Sequence, residues 1–102
     1  MTSELARKDA VALAEMIRKG DLSPIELIDD TIERIETLNP QLNAVIHPAF
    51  EKAREAAASD DLPDGPFRGV PMLMKDLWPA EKGEPFHQGV QGLKNAGYVA
   101  DV

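Results

Sequence analysis

Among the residues of this 102-residue chain whose types and spacing could do chemistry, Lys75 stands out by its setting. It follows Val70-Pro71-Met72-Leu73-Met74, an unbroken apolar run behind Gly69, and Asp76 comes directly after it. Such a run, bounded by glycine on one side and charge on the other, predicts a short strand over about 70–75, buried on both faces as in a mostly parallel sheet. Ligands of open α/β sheets bind at strand ends, so a lysine delivered there on a rigid stem is a candidate for chemistry. A plainer reading stands beside it: the ammonium reaches water along its own stem, or pairs with Asp76.

The remaining reactive side chains give less. Ser3, Ser23 and Ser59 are the only serines, placed near the terminus, at a helix cap and in a loop. None sits in a Gly-x-Ser-x-Gly or Ser-x-x-Lys context, so none is a credible nucleophile. His47 and His87 lie 40 positions apart without ligand-spaced neighbours, and no metal site is expected of them. His87, in a loop rich in glycine and proline, could titrate near a site, although a solvated loop histidine is the simpler account. Trp78 reads as packing at a core or rim, with the wall of an acyl pocket as the functional alternative.

The totals bound what these residues can serve. At 43% hydrophobic and 28% charged the composition is that of a globular chain, and its length fits one small domain or part of a larger one. A net charge of −7 with no cluster of Lys and Arg argues against nucleic acid or an anionic membrane as partner. Without cysteine there is neither a disulfide framework nor a thiolate metal site, and a reducing compartment is permitted. No signal peptide or membrane-length apolar run is seen, which makes the cytoplasm the default location.

Helices must position the lysine. Asp9 caps a first helix over about 9–19, with Val11, Ala14, Ile17 and Met16 as its apolar face and Gly20 at its end. Ser23, Pro24 and Glu26 form a capping box that opens a second helix over about 24–38. Ile25, Ile28, Ile32, Ile35 and Leu38 line one face of it, and Asn39-Pro40 is expected to stop it. Ala44-Val45-Ile46 reads as a short strand or extended link. A third helix, about 48–58, starts at Pro48 and carries an alanine-rich face. Residues 59–66 are a turn-rich loop, 77–89 an irregular one, and Val90 to Ala96 suit a helical turn ended by Gly97.

The run Gly69-Val70-Pro71-Met72-Leu73-Met74-Lys75-Asp76, preceded by Phe67-Arg68, resembles the lysine-bearing segment of the amidase signature family. Gly20-Asp21-Leu22-Ser23-Pro24-Ile25-Glu26-Leu27 and Leu38-Asn39-Pro40-Gln41-Leu42-Asn43-Ala44-Val45 resemble segments that precede it there, in the same order. The resemblance covers essentially the whole chain but only the beginning of that family's domain. It implies the N-terminal helices and first core strand of an α/β fold, a mixed sheet flanked by helices, incomplete in these residues.

The resemblance also implies a function. In that family a nucleophilic serine, a bridging serine and an unprotonated lysine hydrolyse carboxamide C–N bonds without a cofactor. Only the lysine, Lys75, maps onto this chain. A lysine on a buried apolar stem loses hydration, which disfavours the ammonium and makes it a base. The glycine- and serine-rich segment that supplies both serines and the oxyanion hole has no counterpart, so the 102 residues are expected to be inactive alone. Pro85-Phe86-His87-Gln88-Gly89 stands where many members carry a Thr-Thr-x-Gly-Ser-like segment, and Leu77-Trp78 is closer to bacterial amidases than to the family's tRNA-dependent amidotransferases. The partner implied is a small-molecule amide, and a homo-oligomer is compatible. Two alternatives stay open: a noncatalytic helical binding or assembly domain, and a fragment of an A-type amidotransferase chain.

Overall fold

The computed structural model describes residues 4–77 and 80–101, and these divide into two compact units between Pro71 and Met72. After a 3-10 turn at Glu4–Arg7, α1 spans Ala10–Lys19. Asp9 starts it by accepting the Ala12 N–H at 2.8 Å, and Gly20, left-handed at φ 79°, ends it.

Helix α2, Pro24–Leu42, opens with a complete capping box. The Ser23 hydroxyl accepts the Glu26 N–H at 3.1 Å and the Glu26 carboxylate accepts the Ser23 N–H at 3.0 Å. That backbone hydrogen bond, with help from the Ser23 side chain, holds the Glu26 carboxyl below the ordinary carboxylate range.

The helix does not stop at Pro40. It runs on to Leu42, with Asn43 at φ 49° as its cap and the Asn43 N–H donating to the Asn39 carbonyl at 2.7 Å. Proline removes only its own bond to the carbonyl of Glu36, an exposed residue, a loss of one hydrogen bond near a helix end. Asn39 then ties off the end: its Oδ1 accepts from Ala44 and Val45 N–H and its Nδ2 donates to the Val45 carbonyl, each at 2.9 Å. The segment 44–46 forms no strand; it is a link held by the Asn39 side chain.

Helix α3 spans Phe50–Ala58, beginning two residues after Pro48 because Ala49, at φ −123° and ψ 44°, is not helical. It packs against α2, and Arg54 bridges the pair, reaching Asp29 at 3.0 Å and Glu51 at 2.9 Å. Those two carboxylates, Asp29 first, push the guanidinium pKa up.

The core of the first unit is Leu13, Leu22 and Leu27, flanked by Leu5, Met16, Ile17 and Val70. Ala14, Ile28 and Ile32 are also buried, whereas Val11 and Leu38, expected on the buried faces, are exposed. The buried stripe of α2 is therefore rotated toward Leu27, which is fully buried.

In the second unit a short helix, α4, spans Gln91–Asn95. Residues 83–86 and 98–100 exchange backbone hydrogen bonds around an isolated antiparallel bridge, Pro85 with Val99. The strand expected over about 70–75 is not formed: a strand is made by hydrogen bonds to a neighbour, and no described segment offers these residues one. No helix among the described residues is long and apolar enough to cross a membrane.

Candidate active site

Gly69 and Val70, which open the Gly69–Asp76 run, are held within the first unit. Gly69 has φ +82°, and a Cβ there would lie 2.9 Å from Pro24 Cγ and 3.1 Å from Ile17 Cδ1. Only glycine lets the chain turn this way so close to the start of α2. Neighbouring bonds hold the same bend: the Arg68 guanidinium donates to the Leu62 carbonyl and pairs with Asp64 at 3.3 Å, and Val70 N–H donates to Phe67 O at 3.0 Å. Arg18, extending from α1, donates to the Pro66 carbonyl at 3.3 Å. Val70 packs on the leucine core, so the root is fixed by steric fit, polar bonds and burial together.

Beyond that root the surroundings change. Met72 is 76% and Leu73 69% exposed, and Lys75 is exposed as well. The dry stem expected around Lys75 is not built by these residues, because desolvation needs covering atoms on both sides of the segment and the described residues do not supply them. Asp76, half-buried, is engaged across its loop: its Oδ1 accepts the His87 backbone N–H at 2.7 Å.

The described serines are occupied with local turns. Ser23 caps α2, and the Ser59 hydroxyl accepts the Asp61 N–H at 3.0 Å. Ser3 and Trp78 lie outside the described residues. A cleft of about 400 Å³ opens in the first unit beside Ile35, Pro40 and Phe50, but no lysine, serine or histidine lines it. Within the Gly69–Asp76 run, Lys75 remains the candidate for chemistry, with its side chain exposed.

The amidase family profile matches residues 26–101, a span that contains this whole segment. The chain belongs to the amidase family. Among its amidase relatives, the 6-aminohexanoate-cyclic-dimer hydrolase of Paenarthrobacter ureafaciens is 45% identical over 94 residues, 92% of this chain and 18% of that enzyme. The putative amidase AmiC of Mycobacterium tuberculosis (strain H37Rv) is 39% identical over 93 residues, 91% of this chain and 20% of the relative. The A-type chain of the glutamyl-tRNA(Gln) amidotransferase of Nocardia farcinica is 35% identical over 83 residues, 74% of this chain and 17% of that protein. A solved structure of 6-aminohexanoate cyclic dimer hydrolase superposes with a TM-score of 0.83, covering 92% of this chain and 19% of that one. These residues therefore share the fold of the matching part of an amidase, and the chain spans about a fifth of the length of the relatives it matches.

Proposed function

We propose that these residues are the N-terminal segment of an amidase that hydrolyses carboxamide C–N bonds by a serine–serine–lysine mechanism, with Lys75 as the base. The observation that carries this reading is the position of Lys75: it closes the Gly69–Asp76 run inside the family match. The exposed Met72, Leu73, Met74 and Leu77 support it, since so long an apolar stretch facing water is what a segment shows when the surface that covers it is absent.

In the assembled enzyme the covered stem would strip water from the Lys75 amine and favour its neutral form. The neutral amine would take the proton released, through the bridging serine, from the serine that attacks the amide carbonyl. Backbone N–H groups would hold the oxyanion, the leaving amine would depart with the proton returned from Lys75 through the bridging serine, and water would hydrolyse the acyl-enzyme. Both serines and the oxyanion donors would belong to chain outside these residues, so the 102 residues alone would not turn over an amide. Small amides as substrates fit the relatives at 45% identity, and the absence of cysteine permits a reducing compartment such as the cytoplasm.

A second reading, a segment of an A-type amidotransferase chain, is favoured by the Nocardia relative, and it keeps Lys75 in the same role. The test is a hybrid in which this chain replaces the matching segment of the Paenarthrobacter hydrolase. Amide hydrolysis should be measurable, and Lys75→Ala should lower kcat by at least about 100-fold, the scale of a lost general base. A Lys75→Ala hybrid with near-parental turnover refutes the assignment. A hybrid that folds without any hydrolysis favours a noncatalytic module.

A further inference from the structure

The second unit contains a hydrogen-bonded patch that reaches the residue next to Lys75. Phe86 N–H donates to Tyr98 O at 3.2 Å, Ala100 N–H to Glu84 O at 2.9 Å, and Gly83 N–H to Ala100 O at 2.8 Å. Ala100, which takes part in two of these bonds, is 3% exposed. Immediately after it the chain turns, the His87 carbonyl accepting Val90 N–H at 2.8 Å. The His87 N–H points the other way, into the Asp76 carboxylate at 2.7 Å. A carboxylate that accepts a backbone N–H makes a charge-assisted bond, shorter and roughly twice as strong as a neutral one. Half-burial of both Asp76 and His87 shields it from competing water.

We infer that Asp76 is a positioning residue for Lys75: by gripping the His87 N–H it ties the lysine's backbone to the paired segments 83–86 and 98–100. This bond closes the loop between residues 76 and 87. The bond restrains swinging of the Lys75 backbone, because Asp76 is its covalent neighbour. The inference rests on the reading of Lys75 as the base, and adds what aims it.

Two measurements test it. In the 15N-labelled 102-residue chain, Asp76→Ala should speed hydrogen exchange of the His87 amide by about 10- to 100-fold, while Asp76→Asn, which keeps an acceptor oxygen, preserves most of the protection. The Leu27 amide, hydrogen-bonded to Ser23 in the first unit, reports whether the fold itself has loosened. In the hybrid enzyme, Asp76→Ala should lower kcat by about 10- to 100-fold with KM within about threefold of the parent, and Asp76→Asn should restore most of kcat. Parental kcat in Asp76→Ala overturns the inference. So does an Asp76→Asn variant as damaged as Asp76→Ala, which would mean that the negative charge, and not the bond, is what matters. An active Lys75→Ala hybrid removes the underlying base assignment instead, and the His87 exchange result separates that failure from a failure of the clamp.

Discussion

Gly69→Ala is the sharpest perturbation this structure offers, because its cost divides into two parts that can be measured apart. The first is conformational: an L-residue held near φ +82° is disfavoured by about 1–2 kcal/mol. The second is steric: the new methyl would fall 2.9 Å from Pro24 Cγ, 3.1 Å from Ile17 Cδ1 and 3.2 Å from Pro24 Cβ. Two of the three atoms belong to the Pro24 ring, which cannot rotate out of the way as an open side chain can, and overpacking of this kind costs about 1–3 kcal/mol more. Gly20→Ala is the internal control, since Gly20 has φ +79° and nothing within 4 Å of its would-be Cβ. Denaturant unfolding of the two variants, followed by helical circular dichroism, should therefore place Gly69→Ala below Gly20→Ala by the steric part alone, about 1–3 kcal/mol. Adding Ile17→Val or Pro24→Ala, each of which removes one of the atoms in the way, should cost less in the Gly69→Ala background than in the parent. Equal destabilisation by Gly69→Ala and Gly20→Ala would refute the close-contact account and leave Gly69 as an ordinary turn glycine.

Two further outcomes concern the frame around the site. Asn39→Ala removes three hydrogen bonds at the end of α2, so it should cost about 1–3 kcal/mol in the same unfolding assay, and exchange at the Ala44 and Val45 amides should rise. Glu26 is held below the ordinary carboxylate range in the folded chain, so its capping contribution is present above the unfolded pKa and lost as pH falls through the folded one. Stability followed downward from about pH 6 should accordingly fall less steeply in Glu26→Ala than in the parent; identical slopes would show that the capping box carries no linkage.

The features legible in the sequence are those whose causes lie within a few residues. Ser23, Pro24 and Glu26 specify the start of α2 by themselves, because the groups they satisfy belong to the same turn. Which face of a helix is buried is a different question, settled by what lies opposite. Ile28 and Ile32 are on the expected stripe and buried, yet Leu13 and Leu27 take the centre of the core while Leu38 stays in water. Pro40 shows a local rule outweighed by position, since a missing donor costs little where the helix is about to end. The Gly69–Asp76 run is recognisable from its own residues, but the surroundings of Lys75 depend on atoms distant in sequence. The Asp76 bond is of the same kind: its partner is eleven residues away, with no periodic pattern to announce it.

One small feature of the second unit bears on how the chain behaves among its own copies. Since Glu84 O and Phe86 N both point toward residues 98–100, the backbone nitrogen of the residue between them faces outward, and that residue is Pro85. A neighbouring molecule seeking to extend the pairing would meet a ring where it needs a hydrogen. The rim is thereby blunted against fibrillar stacking, and a chain with this much uncovered grease keeps a built-in deterrent to templated aggregation.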